Sequence, residues 1–88
     1  MKEYTIQLSK PAKKQLDKLS DNIAEPILEA IADLAFNPRP VGYIKLKARG
    51  GYRIRVGDYR IIYEIIDKIL LIDVIDIGHR KDIYESKS

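Results

Sequence analysis

The residues best suited to chemistry are three arginines in a stretch of alternating polar and apolar side chains, YRIRVGDYRIIY at residues 52–63. The Gly-Asp pair at 57–58 is typical of a two-residue hairpin turn of type II′. A hairpin closed by this turn pairs Arg55 with Arg60 and brings Arg53 onto the same face, because side chains alternate along a strand. Guanidinium groups make paired hydrogen bonds to phosphate oxygens, so this cluster predicts contact with a polyanion.

The same register predicts which side of the hairpin is buried. Its apolar side chains should face the core, at Ile54, Val56, Tyr59 and Ile61. Directly opposed like charges destabilise a sheet by an amount comparable to the roughly 0.2–1 kcal/mol of a favourable cross-strand pair. The alternative interpretation is that the arginine stems cover the sheet face while their charged heads stay solvated. This explains a single arginine better than a converging set.

A second group of reactive residue types follows the last apolar stretch, in GHRKDIY at 78–84. It contains His79, Arg80 and Tyr84. Histidine is the side chain that titrates nearest neutral pH, although a single histidine is more often structural than catalytic. Tyr84 could be a core residue, a base-stacking ring or a proton donor.

The loop before the last strand decides which of these residues joins the arginines. With a two-residue loop at 67–68, Arg60 pairs with Ile75, and odd-numbered residues such as Asp73 and His79 share the arginine side. With a three-residue loop at 67–69, Arg60 pairs with Asp76, and Arg80 joins it. The residues alone leave both registers open.

The surrounding pattern predicts an α+β fold in the order β-α-α-β-β-β-β, with two helices packed on one face of a largely antiparallel sheet. Ser9 and Pro11 begin the first helix, which ends near Ser20. Pro26 should fix where the regular part of the second helix begins, and the segment 37–40 ends that helix. The strands are predicted at 3–8, 42–47, 52–56, 59–66 and 69–77.

Length and composition limit the possible functions. A chain of 88 residues is expected to form one domain, 1–88, and it contains no cysteine, which excludes disulfides, zinc–thiolate sites and thiol nucleophiles. One histidine with scattered acids gives no convincing metal site, so we expect no metal or cofactor. The sequence has neither a signal peptide nor about 20 consecutive apolar residues, so we expect a cytoplasmic protein that does not contact membranes.

Positive charge is concentrated in the middle of the chain. Residues 39–60 carry seven basic groups and one acid, whereas the other residues carry nine basic and twelve acidic groups. This asymmetry favours a polyanion-binding surface.

The string LKARGGYRIRVGDYRIIYEI, followed by DIGHRKDIY, resembles the RelE toxins of toxin–antitoxin modules, within the RelE/ParE superfamily. The resemblance implies a metal-independent, ribosome-dependent endonuclease that cuts the mRNA codon in the A site. It also implies contacts to mRNA and rRNA, and a RelB-like antitoxin whose helix or extended segment wraps the domain, covering the basic face or displacing the tail.

Site residues carry over by position from this resemblance. The catalytic positions of RelE-like enzymes correspond here to Arg53, Arg55, Arg60, Arg80 and Tyr84, with His79 where relatives carry a lysine. The basic residues Arg39, Lys45, Lys47 and Arg49 are then expected to contact RNA or the ribosome. Because the family site contains the counterparts of Arg60 and Arg80, it favours the three-residue loop.

The identity of the general base stays open, because arginine remains protonated and is a poor base. The candidates are His79, Lys47, and Arg55 acting only electrostatically, while Tyr84 is the preferred acid or stacking group. We expect Arg60→Ala and Arg80→Ala to abolish cleavage with little loss of stability, as for exposed arginines. The alternative functions are a ParE-like toxin that binds and inhibits DNA gyrase, and a non-catalytic RNA-binding module.

Overall fold

The computed structural model describes residues 3–47 and 50–79. The elements follow the predicted order. They are β1 (Thr5–Leu8), α1 (Lys10–Asp17), α2 (Asp21–Leu34), β2 (Ile44–Lys45), β3 (Tyr52–Val56), β4 (Tyr59–Ile66) and β5 (Leu71–His79).

The five strands form one sheet in the order β1-β5-β4-β3-β2. β1 runs parallel to β5, and every other neighbouring pair is antiparallel. The central position of β4 between β3 and β5 means that its side chains are flanked on both sides, whereas β1 and β2 are the edges.

The hydrophobic core lies between the two helices and one face of this sheet. Helix α2 contributes the stripe that its sequence predicts, with Ile27, Ile31 and Leu34 buried and Ala30 partly buried. The sheet contributes core residues from its three central strands: Ile54, Ile61, Tyr63, Ile72, Val74 and Ile77. The prediction that the helices pack on one face of a mostly antiparallel sheet is confirmed.

The first helix begins as predicted, and the second does not. The Ser9 hydroxyl accepts a hydrogen bond from the Ala12 amide at 3.1 Å, which caps α1. Helix α2 begins at Asp21, so Pro26 lies inside it and the predicted start is wrong. Pro26 is tolerated because it is exposed and lies in the second turn of the helix. The amide that proline lacks would have bonded to the carbonyl of Asn22, an exposed residue near the helix N-terminus.

Both predicted registers between the last two strands are wrong. The connection has four residues, a 3-10 turn at Asp67–Ile69 followed by Leu70 in the left-handed conformation with φ of 52°. Ile66 therefore pairs with Leu71, and a β-bulge between Ile62 and Tyr63 shifts the register once more. Arg60 consequently pairs with Gly78, rather than with Ile75 or Asp76.

The second strand is shorter than predicted. Only Ile44 and Lys45 pair with β3, opposite Arg53 and Tyr52 respectively. The strand edge of β3 beyond Arg53 therefore has no β-strand neighbour among the described residues. None of the helices in the described part of the chain is long and apolar enough to span a bilayer.

Candidate nucleic-acid interface

The β3–β4 hairpin has the predicted register. Val56 pairs with Tyr59, and Arg55 pairs directly with Arg60. Gly57 takes a φ of 59°, the left-handed value that a type II′ turn needs at its first central position. We call the sheet surface that carries Arg53, Arg55 and Arg60, opposite the helices, the arginine face.

The three arginines of this face differ in exposure. Arg55 is exposed and Arg53 is partly exposed, whereas Arg60 has only 2% of its surface exposed. The expectation that Arg60 is an exposed residue is therefore wrong. The physical reason is position, because Arg60 lies on the central strand beside the equally buried Ile62, while Arg55 lies on β3 beyond the end of β2.

His79 lies on the opposite side of the sheet from the arginines. It pairs with Tyr59, and the two rings meet edge to face with centroids 5.3 Å apart. Tyr59 packs against the core beneath the helices, so the register places His79 on the helix side. The β-bulge instead aligns Asp76 and Gly78 with the arginine face, where Asp76 pairs with Ile62.

Three predicted site residues, Arg49, Arg80 and Tyr84, lie outside the described residues. Their proposed roles in RNA contact and catalysis stay predictions.

Two of the other predicted site residues, Lys45 and Arg39, lie away from the arginine face. Lys45 pairs with Tyr52, whose ring packs against the core, so the strand register directs Lys45 to the helix side, where it is exposed. Lys47 is exposed in the bend after β2. Arg39 forms an ion pair with Asp67 at 3.1 Å and lies 5.6 Å from the centroid of the Tyr52 ring. The middle of the chain thus presents cations on both faces.

The family model for the ParE toxin of type II toxin–antitoxin systems matches residues 6–84. The chain belongs to this toxin family. The toxin is also 32% identical over 83 residues to Toxin RelG of Mycobacterium tuberculosis, covering 92% of this chain and 95% of that protein.

Solved structures agree with this assignment. The archaeal RelE–RelB complex from Pyrococcus horikoshii matches with a TM-score of 0.79 and 30% identity, over 89% of this chain and 96% of that chain. The isolated RelE toxin of E. coli matches with a TM-score of 0.75 and 25% identity, over 96% and 94% of the two chains. The resemblance to the RelE/ParE superfamily is confirmed.

Sequence reasoning missed a column of three tyrosine rings on the helix side of this toxin. Tyr52 lies between Tyr43 and Tyr63, with ring centroids 5.9 Å from each. We call these three residues the tyrosine column. The hairpin register that pairs Arg55 with Arg60 also pairs Tyr52 with Tyr63, so part of the column could have been found from the sequence.

The buried end of the tyrosine column is fixed by a hydrogen bond. The Tyr63 hydroxyl donates to the Pro38 carbonyl at 2.7 Å. Burial raises the pKa of Tyr63 from 10.0 to about 12, so the hydroxyl stays protonated and keeps donating well into the alkaline range. This bond ties the segment after α2 to the central strand.

A network of surface side chains also holds the segment after α2, through Arg39. The Tyr4 hydroxyl donates to Asp67 Oδ1 at 2.5 Å, and Arg39 Nη2 donates to Asp67 Oδ2. The bond to Asp67 raises the pKa of Tyr4, and the bonds from Tyr4 and Arg39 lower the pKa of Asp67. The network therefore joins the residue before β1, the segment after α2 and the turn before β5.

Proposed function

We propose that this toxin is a metal-independent endoribonuclease that cuts mRNA in the ribosomal A site. The observation that supports it most is the direct pairing of Arg55 with Arg60, with Arg53 on the same face. Opposed cations repel one another, at a cost of up to about 1 kcal/mol. A phosphate bound at the exposed Arg55 would accept charge-assisted hydrogen bonds from it and offset this repulsion.

The proposed reaction needs alignment, two proton transfers and charge stabilisation from the protein. The RNA 2′-oxygen attacks the adjacent phosphorus, forming an O–P bond while the bond from phosphorus to the 5′-oxygen breaks. The products are a 2′,3′-cyclic phosphate and a 5′-hydroxyl. One group must accept the proton of the 2′-hydroxyl, another must protonate the leaving oxygen, and cations must stabilise the extra negative charge on phosphorus.

The two paired arginines are suited to different parts of this task. Arg55 is exposed and can reach the non-bridging phosphate oxygens. Arg60 is buried, so its charge acts through a medium of lower polarity, in which electrostatic stabilisation is stronger than in water. Arg53, partly exposed on the same face, is suited to orient a neighbouring phosphate.

The general base is proposed to be a residue whose side chain can reach RNA bound on the arginine face. His79 is a weaker candidate in the structure than in the sequence, because it pairs with Tyr59 on the helix side of the sheet. Asp76 shares the arginine face and joins Lys47 among the candidates. Tyr84 stays the proposed acid or stacking group by its resemblance to RelE-like enzymes.

Induced expression of the toxin alone tests this proposal. We expect growth arrest, with new mRNA 5′ ends mapped within codons and dependent on translation. The matched control is Arg55→Ala, an exposed substitution that should fold normally and leave mRNA intact. Growth arrest with intact mRNA would contradict the proposal.

A ParE-like toxin that inhibits DNA gyrase is the second candidate, and the match to the ParE family model favours it. This function predicts trapped gyrase–DNA complexes and intact mRNA during arrest. The same induced cultures therefore decide between the two functions when gyrase-linked DNA is measured beside mRNA ends.

We further propose that a RelB-like antitoxin neutralises this toxin. Support comes from the relatives from Pyrococcus horikoshii and Methanococcus jannaschii, whose structures are RelE–RelB complexes. Co-expression of the toxin with the product of a neighbouring open reading frame should restore growth and yield a complex that copurifies. Growth arrest that persists with every neighbouring product would contradict this.

A further inference from the structure

We propose that the exposed end of the tyrosine column, Tyr43 with Tyr52, is a stacking site for an unpaired base of single-stranded RNA. The site lies on the helix side of the sheet and is separate from the arginine face. That the ligand is RNA rests on the proposed function, whereas the geometry of the site does not.

The column runs from the core to the surface. Tyr63 is completely buried, Tyr52 is partly buried and Tyr43 has 37% of its surface exposed. The rings of Tyr52 and Tyr63 are inclined by 29° and those of Tyr43 and Tyr52 by 41°. The outermost ring therefore offers aromatic surface to solvent while its neighbours support it from beneath.

Two basic residues lie next to Tyr52, the second ring of this site. Lys45 is exposed and pairs with Tyr52 across the β2–β3 ladder. The Arg39 side chain, 40% exposed, lies near the Tyr52 ring, although Asp67 neutralises part of its charge. Exposed aromatic rings next to basic side chains bind a base by stacking and its phosphate by charge.

The site is held in place before any ligand arrives. The Tyr43 amide donates to the Pro40 carbonyl at 3.0 Å, and the Tyr63 hydroxyl donates to the Pro38 carbonyl. Both bonds fix the segment that carries Arg39 and Tyr43. A preorganised ring loses little conformational entropy on binding, which favours stacking on Tyr43 over contact with a flexible apolar side chain.

The tyrosine column and the arginine face meet at the β2 edge of the sheet. β2 is an edge strand of two residues, and its Ile44 lies opposite Arg53 while Lys45 lies opposite Tyr52. Side chains on the two faces are therefore only one residue apart in β2. An RNA strand crossing this edge could place one base on Tyr43 while a phosphate a few nucleotides away reaches the arginine face.

The test uses the full-length toxin and a fluorescein-labelled oligoribonucleotide in which every 2′-hydroxyl is methylated, so that cleavage is blocked. Binding is measured by fluorescence anisotropy for wild type, Tyr43→Leu, Tyr43→Phe and Phe36→Ala. Phe36 is the matched control because it is an aromatic residue with 60% of its surface exposed that lines a groove with β1, away from the column. Circular dichroism checks that each variant folds.

Removing the ring of Tyr43 should weaken binding roughly 5- to 150-fold, the range for loss of one stacked base. Tyr43→Phe keeps the ring and should bind within about twofold of wild type, as should Phe36→Ala. Wild-type affinity in Tyr43→Leu would overturn the proposal, as would equal losses in Tyr43→Leu and Tyr43→Phe. An equal loss in Phe36→Ala would overturn it too.

This result is independent of cleavage. If expression of the toxin leaves mRNA intact while Tyr43→Leu still weakens binding to the methylated oligoribonucleotide, the nuclease proposal fails and the stacking site stands. If mRNA is cut while Tyr43→Leu binds like wild type, the stacking site fails and the nuclease proposal stands. A photocrosslink from 5-iodouridine in the same oligoribonucleotide should map to Tyr43, and mapping only to the arginine face would overturn the site.

Discussion

Arg55 and Arg60 are direct partners in the β3–β4 hairpin, yet Arg55 is exposed and Arg60 is buried. The two guanidinium groups therefore lie in different dielectric surroundings although they share one face of one hairpin. A buried charge is costly unless it is compensated. This difference predicts that the two arginines respond differently to substitution.

Substitutions of Arg60 should separate its role in folding from its role in cleavage. Arg60→Ala removes a buried side chain and should lower the free energy of unfolding by about 2–3 kcal/mol. Arg60→Met keeps most of the volume without the charge and should be less destabilising than Arg60→Ala. Both should lose mRNA cleavage, as measured on programmed ribosomes beside urea unfolding curves.

Arg55→Ala is the matched control for these variants. Because Arg55 is exposed, this substitution should change the unfolding free energy by less than about 0.5 kcal/mol while also abolishing cleavage. Retention of cleavage by Arg60→Met would show that the charge of Arg60 is not needed for the reaction.

His79→Gln should retain most of the single-turnover cleavage rate. His79 pairs with Tyr59 on the helix side, so it is poorly placed to take a proton from RNA on the arginine face. Single-turnover kinetics on programmed ribosomes measure this directly. A rate reduced by 100-fold or more would restore His79 as the base, since loss of general base catalysis costs roughly 10²–10⁴-fold.

The glycines at the start of β3 should differ in their tolerance of alanine. Gly51 has a φ of 84°, and a Cβ there would lie 3.0 Å from the Tyr63 carbonyl oxygen. Gly50 has a φ of 78° with nothing within 4 Å of the added atom. Thermal or urea unfolding should therefore show a loss of about 1 kcal/mol for Gly50→Ala, from left-handed strain alone, and about 2–3 kcal/mol for Gly51→Ala. Equal losses would mean that the carbonyl contact is relieved at no cost.

The stability of the toxin should fall at alkaline pH because of Tyr63. Its pKa is raised from 10.0 to about 12 in the folded state, so its contribution is complete below pH 10 and is lost as pH rises through 12. At neutral pH, Tyr63→Phe should cost about 1 kcal/mol, the typical value of one hydrogen bond.

Urea unfolding of wild type and Tyr63→Phe between pH 9 and 12 checks this expectation. The difference between them should shrink above pH 10. Tyr4, whose pKa is also raised, is present in both proteins and cancels. A difference that stays constant with pH would show that Tyr63 titrates normally in the folded protein.

Local sequence signals predicted the hairpin well. The bounds of β3 and β4, the turn at Gly57 and the pairing of Arg55 with Arg60 are all confirmed, because a two-residue loop leaves only one register. The predicted start of α2 is wrong. Proline usually marks the first turn of a helix, but the exposed Pro26 lies in the second turn.

The register of β5 could not be predicted from the same kind of signal. The loop before it contains Leu70 in the left-handed conformation, which a leucine adopts only when its surroundings impose it. The β-bulge beside Ile62 is a second departure without a sequence marker. Two such shifts moved the partner of Arg60 to Gly78 and placed His79 on the helix side.

The sequence by itself thus determined the order of elements, the alternation in each strand and the convergence of Arg53, Arg55 and Arg60, since all three depend on neighbours in the chain. Only the tertiary structure decided that Arg60 is buried and that Tyr43 forms the outer end of an aromatic column. Burial and ring contacts depend on segments far apart in the chain, and their relative positions are fixed by the packing of the whole sheet.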